Sequence, residues 1–159
     1  MSTQTPFIQN ITGIQLPKDA CIVIVQTEWN ESTIRRLNEG CVSVLSQHQV
    51  AHQTITVPGA FEITHAIAQH WSRSNQKVNA YIALGCVIQG DTPHFEYVCK
   101  AVTDGVLQLN ISLPIPTIFG VLTVNNQQQA DERLGGIHGH KGEEAALTAL
   151  KMISLFQQS

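Results

Sequence analysis

Nowhere in the 159 residues does an apolar run approach the roughly 18 needed to cross a bilayer as a helix. The amino terminus, MSTQTPFIQN, lacks the basic and apolar regions of a secretory signal, so a cytoplasmic protein is expected. Charge is scarce at 13% of residues. The net charge of −3 leaves no electrostatic footprint for nucleic acid or an anionic membrane. So few charges point to a surface partly covered by other subunits. The four cysteines, Cys21, Cys41, Cys86 and Cys99, form no CxxC pair and do not cluster with histidine. They read as small buried thiols in a reducing compartment, and no zinc site is expected. His138-x-His140 is the only close histidine pair and sits in a polar loop. Gly135 to Gly142 (GGIHGHKG) is not a P-loop, because Gly142 stands where Ser or Thr must follow Lys141. The G-x-G-x-x-G of a dinucleotide site and the G-x-S-x-G of a nucleophile elbow are both missing.

What is present alternates. Cys21 to Val25 (CIVIV) is a short β-branched run suited to a strand buried on both faces. Asn30 can cap the next helix, in which Ile34, Leu37, Cys41, Val44 and Leu45 recur at helical spacing to about His48. Thr54 to Val57 is a second strand, followed by Pro58-Gly59 and a helix starting near Ala60 to Glu62. Val78 to Ile88 is the third strand. The helix after it carries Phe95, Val98, Cys99, Val102, Val106 and Leu109, and stops at Asn110 and the Ser112 to Pro114 stretch. Ile115 to Val124 is the fourth strand, with Gly120 a thin spot. Gln127 to Arg133 is a short helix closed by Gly135-Gly136, and a last helix runs from about Gly142 to Phe156. Residues 1–16 form an extended arm, in which Phe7 to Leu16 alternates weakly and has no partner strand in the chain. The order implies one α/β domain over 1–159, with a four-stranded parallel sheet and helices on both faces.

In such sheets ligands bind beyond the carboxyl ends of the strands. The first strand is followed there by Glu28-Trp29-Asn30, the second by Gly59 to Glu62, the third by Gln89 to His94. Gly90 lets the backbone turn, Thr92 sits at an N-cap position and Pro93 at the first helical position. The helix N-terminus then suits an anion, with His94 beside it as acid or base. The same stretch also reads as a well-capped helix with an exposed histidine, and Trp29 as a packed loop aromatic. Together the three stretches suit a ligand with a flat ring, several hydroxyls and a phosphate.

VPGAFE (Val57 to Glu62), LGCVIQGDTPHFEYV (Leu84 to Val98), Phe119-Gly120, Glu132-Arg133 and Lys141-Gly142 resemble, in order and spacing, the lumazine synthase family. The likeness covers nearly all of the chain after the arm. It implies a flavodoxin-like three-layer fold. It implies condensation of 5-amino-6-(D-ribitylamino)uracil with 3,4-dihydroxy-2-butanone 4-phosphate through an imine, with loss of phosphate and ring closure. No metal and no organic cofactor are implied. Carried over by position, Trp29 stacks on the pyrimidine, with Asn30 beside it in the binding set. Ala60, Phe61 and Glu62 hold the ribityl chain, and the backbone of Cys86, Val87 and Ile88 reads the pyrimidine. Asp91 and Thr92 form the phosphate-side turn, and His94 moves protons. Phe119, Arg133 and Lys141 are lent across a subunit interface, with Arg133 on the phosphate and counted with His94 as catalytic.

The chain departs from the commonest family pattern at four places. Trp29 stands where Phe is frequent, Gln89 where Arg is, Thr64 where Pro is and His140 where Asn is. Gln89 for Arg is expected to weaken phosphate binding. The resemblance further implies a homo-oligomer built of pentamers, an arm that joins a neighbour's sheet, and a shell option left open by the short Gly135 to Lys141 turn. Riboflavin synthase is an implied partner. Two other functions stay in view: a shell or flavin-binding protein without turnover, and a binder of some other phosphorylated sugar. Retention of His94, Arg133, Glu62 and Lys141 weighs against the first. Trp29 with Phe61-Glu62 weighs against the second.

Overall fold

A computed structural model describes residues 11–157. Its sheet is built from β1 (Cys21–Thr27), β2 (Ala51–Val57), β3 (Ala80–Ile88) and β4 (Thr117–Val124), in the order β2-β1-β3-β4. All three pairings are parallel: Cys21 to Thr27 against Ala51 to Val57, Ile22 to Gln26 against Ala80 to Leu84, and Tyr81 to Ile88 against Thr117 to Val124. Between them run α1 (Glu31–Gln47), α2 (Ile63–Arg73) and α3 (His94–Ser112). After β4 come α4 (Gln127–Asp131), a small antiparallel hairpin of β5 (Leu134–Gly136) and β6 (Gly139–His140), and α5 (Lys141–Leu155).

The alternating side chains of the strands create two cores. Ile22, Ile24, Ile82, Leu84 and Leu122 face α1 and α5, meeting Leu37, Cys41, Ala146 and Leu150. Val23, Val25, Tyr81, Ala83 and Val121 face α2 and α3, meeting Ile63, Ile67, Val102 and Val106. This is the α/β arrangement with helices on both faces that the alternation implies, in the three-layer, flavodoxin-like form that the resemblance implies. The inner strands β1 and β3 are buried on both faces, which is why their sequences are unbroken apolar runs. The chain leaves β1 to one side for β2 and returns to the other side for β3. The crevice at this switch point, above β1 and β3, is where such sheets hold ligands.

Several boundaries differ from the sequence reading. β1 runs on to Thr27, where Gln26 Nε2 bonds Thr56 Oγ1 (3.3 Å) and Thr27 Oγ1 bonds the Trp29 carbonyl (3.3 Å). β2 begins at Ala51, because as an edge strand it can leave Ala51, Thr54 and Thr56 exposed. β4 begins only at Thr117, after Pro116, whose lack of an N–H cannot extend the ladder. Asn110 does not stop α3. Its amide bonds the Val106 and Thr117 carbonyls while its Oδ1 accepts from Thr117 N, tying the helix to β4, and the helix ends at Ser112. Gly120 is no weak point: its bare backbone lies against the Ala83 carbonyl and the Leu84 side chain, a fit a Cβ would destroy.

The hairpin replaces the expected helix end at Gly135-Gly136. Asn126 caps α4 by accepting from Gln129 N (2.9 Å), and the helix ends at Asp131. Gly135 (φ +99°) and Gly139 (φ +73°) then take left-handed conformations that favour glycine, and the chain doubles back. His138 N bonds the Glu132 carbonyl (3.0 Å) and Lys141 N the Arg133 carbonyl (2.9 Å). Of the expected N-terminal strand, residues 7–10 lie outside the described residues. Residues 11–16 form no strand: Ile14 N turns back to the Ile11 carbonyl, and Ile14 and Leu16 pack on the α1/α5 core. Among the described residues no helix is long and apolar enough to cross a membrane.

Candidate functional site

The switch-point crevice gathers the first group of expected residues. Asn30 is left-handed (φ 59°, ψ 48°), a conformation Asn tolerates better than most residues. It occupies the cap position of α1, yet its side chain does not cap that helix. Its Nδ2 donates to the Cys86 carbonyl at 2.8 Å. The β1–β3 ladder ends at Gln26 opposite Leu84, two residues short of Cys86. The Asn30 amide takes over where the ladder stops, fixing the loop after β1 to the end of β3. Trp29 is thereby held outward, 73% exposed.

Beside it, Ala60, Phe61 and Glu62 form a short 3-10 turn leading into α2. A side chain at Gly59 would lie 3.0 Å from Glu62 Oε2 and 3.6 Å from Trp29 Cδ1. The carboxylate and the indole edge therefore approach one point. Phe61 is 64% exposed on the same turn. Val87 and Ile88 are half-buried, and burial pushes the Cys86 thiol up to about 11, so it stays protonated at neutral pH.

Asp91, Thr92 and His94 are all exposed at the start of α3. The helix begins at His94, one residue later than expected, with Pro93 at the cap position and no side-chain cap. Thr92 is not a cap, because Pro93 rather than Thr92 borders the helix. The first N–H groups of a long helix are thus left open at the rim. Gly90 is not required by its own backbone: its φ is not positive and a Cβ there would touch nothing among the described residues.

The second group lies elsewhere. A groove of about 760 Å³ runs along the outer edge of β4, between that strand and α5, lined by Phe119, Arg133, Lys141 and Glu144 among others. None of Trp29, Phe61, Glu62 and His94 lines it. Phe119 is 43% exposed on this edge. The Arg133 guanidinium donates to the Gln129 carbonyl (2.8 Å) and lies 4.0 Å from Glu132 Oε2. The hairpin sets Arg133 and Lys141 side by side through their main-chain hydrogen bond. Gly142 presses on the Leu37 carbonyl, where any side chain would collide, so the start of α5 is seated on α1. His140 accepts from Glu143 N at 3.4 Å and lays its ring over Gly40.

The structure thus brings the expected residues together as two clusters. Glu144 was missed by the sequence reading. Its signal was available: it follows Lys141 by three on the first turn of a helix, the spacing of an ion pair. Lys141 Nζ meets Glu144 Oε2 at 2.7 Å.

The family model described as 6,7-dimethyl-8-ribityllumazine synthase matches residues 19–157. A protein of that name from Porphyromonas gingivalis is 48% identical over 141 residues, 87% of this chain and 86% of its own length. One from Bacteroides fragilis is 47% identical over 133 residues, covering 82% and 92%. One from Flavobacterium psychrophilum is 42% identical over 164 residues, covering 100% and 86%.

Proposed function

The chain belongs to the 6,7-dimethyl-8-ribityllumazine synthase family, and from that premise we infer that it catalyses the last condensation before riboflavin itself is made. It joins 5-amino-6-(D-ribitylamino)uracil to 3,4-dihydroxy-2-butanone 4-phosphate and releases phosphate and water. The observation that carries this reading is the convergence of Trp29 and Glu62 beside Gly59, next to an uncapped α3 N-terminus that bears His94.

In this reading Trp29 stacks on the pyrimidine ring and Glu62 accepts hydrogen bonds from ribityl hydroxyls, with Asn30, Ala60 and Phe61 shaping the slot. The backbone of Cys86, Val87 and Ile88 offers hydrogen bonds to the ring edge. The phosphate rests on the Asp91-Thr92 turn and the free N–H groups of α3. His94 delivers and removes protons as the amine adds to the ketone, water leaves, and phosphate is eliminated. Arg133 grips the phosphate bidentately, and Phe119 and Lys141 close over the ring.

Arg133, Phe119 and Lys141 line the β4 groove and not the rim, so we assign a complete site to two neighbouring subunits. The broad exposure of Trp29, Phe61, Tyr97 and Ile111 supports a covered surface. A pentamer, with a closed shell as its higher form, is the proposed assembly, and riboflavin synthase its proposed partner. The four free thiols suit a cytoplasmic enzyme.

The test mixes the purified protein with both substrates and follows lumazine absorbance and phosphate release. A rate no faster than the spontaneous reaction overturns the assignment. Light scattering that shows only monomers overturns the shared site.

A further inference from the structure

Glu144 is the one acidic group in the β4 groove whose burial the reading above leaves unexplained. Its side chain is only 13% exposed. One carboxylate oxygen, Oε2, meets Lys141 Nζ at 2.7 Å. The other, Oε1, is buried and has no hydrogen-bond partner among the described residues. A charge near the start of α5 would favour the helix dipole, but Glu143 provides one from an exposed position without being buried. An unsatisfied buried carboxylate oxygen is costly unless something with a donor reaches it. Lys141 is itself tied by its main chain to Arg133, so the ion pair fixes where its ammonium stands relative to the guanidinium.

We propose that Glu144 is a positioning and specificity-determining residue: it holds the Lys141 ammonium with Oε2 and presents Oε1 to a hydrogen-bond donor on the ring substrate. The chemistry selects which substrate this is. A carboxylate repels a phosphate and accepts from N–H, and the aminouracil carries ring N–H groups while the phosphate end of the ketose carries none. Arg133 and Glu144 therefore sort the two ligands within one groove. The proposal rests on the lumazine synthase reading only for the identity of those ligands.

The full-length assembled protein is compared with Glu144→Gln, Glu144→Asp, Lys141→Ala and the double variant Lys141→Ala/Glu144→Gln. Acetylation of Lys141 by acetic anhydride, read by mass spectrometry, needs no substrate. Loss of the carboxylate should raise its labelling severalfold, and Asp should restore part of the protection. Unchanged labelling overturns the positioning role. In steady-state kinetics Glu144→Gln should raise the KM for the aminouracil about tenfold, the weight of one hydrogen bond to a charged group, and leave the KM for the ketose phosphate within about twofold. The double variant should raise the KM for the aminouracil severalfold beyond Lys141→Ala alone, because Oε1 meets the ring substrate independently of the ammonium, and a double variant no worse than Lys141→Ala overturns the specificity role. Equal shifts in both KM values, or none, overturn the specificity role. Absence of turnover in the unsubstituted protein would overturn the assigned activity, while the labelling result still decides whether Glu144 holds Lys141. The thermal midpoint of Glu144→Gln should stay within about 3 °C, since only a loss above roughly 1 kcal/mol would move it further.

Discussion

The rim above β1 and β3 and the groove beside β4 hold their side chains in opposite ways. At the rim, Trp29, Phe61, Asp91, Thr92 and His94 are exposed. What is fixed there is the backbone beneath them, through the Asn30 bond to Cys86. In the groove the side chains themselves are tied: Arg133 to Gln129, Lys141 to Glu144, with a main-chain bond joining the two cations. The groove's charged side chains are held within one chain, whereas those of the rim are left open. Rigid placement costs least where a charge must meet a phosphate, and open placement suits rings that a stacking partner will order.

The largest expected effect comes from mixing the halves. His94→Ala and Arg133→Ala subunits, each with little activity, should regain about a quarter of the native rate when dissociated and reassembled at equal amounts, since a random mixture pairs an intact rim with an intact groove in that share of sites. No recovery would break the assignment of the two clusters to different subunits. Singly, Arg133→Ala should raise the KM for the ketose phosphate about 10- to 100-fold, the range of a lost charge-assisted pair. His94→Ala should instead lower kcat, about tenfold to 100-fold, with less change in KM.

Alanine at two glycines separates the regions by stability. Gly142→Ala drives a methyl into the Leu37 carbonyl and should cost about 1–3 kcal/mol, seen as a fall in the thermal midpoint. Gly90→Ala meets nothing among the described residues and should stay within about 0.5 kcal/mol. A similar loss at both would show that the rim is as tightly built as the groove. Asn30→Ala removes the bond to Cys86 and leaves a left-handed Ala, which together should cost about 1–2 kcal/mol.

The smallest effect concerns thiols. Burial pushes Cys41 up to about 12 and Cys86 up to about 11. Both stay protonated near pH 8, and iodoacetamide should leave them unmodified in the native protein. Because their native values are raised, the stability they support is complete below the unfolded thiol value near 9. It is lost as pH climbs towards 11 and 12. Rapid labelling of Cys86 at pH 8 would show that the strand end beneath the rim opens as readily as the rim residues above it.

Much of this was legible in the chain. CIVIV and the long run before Ile88 announce buried parallel strands, because burial on both faces erases alternation. The placement of Trp29, Glu62 and His94 at strand ends follows from order alone. The arrangement around Arg133 does not. A Gly-Gly pair ends a helix or opens a hairpin equally well, and the deciding contacts, Lys141 N to the Arg133 carbonyl and Gly142 on Leu37, are tertiary. Asn30 misled for a related reason: a capping residue before a helix has local N–H groups on offer, but here the backbone is left-handed and the Nδ2 bond to the Cys86 carbonyl orients the amide toward β3 instead. Gly90 looked conformationally necessary, yet neither its φ nor any contact among the described residues requires glycine there.

The hairpin has an engineering corollary. Its base is closed by the Lys141–Arg133 bond, and its tip, with Ile137 exposed, points away from the core. A loop whose ends are pinned together can grow at its tip for little entropic cost. A guest peptide inserted between Ile137 and His138 would therefore leave the spacing of the two cations behind it set while lengthening the one turn whose shortness keeps a closed shell open to this chain, which separates the chemistry of the groove from the size of the assembly.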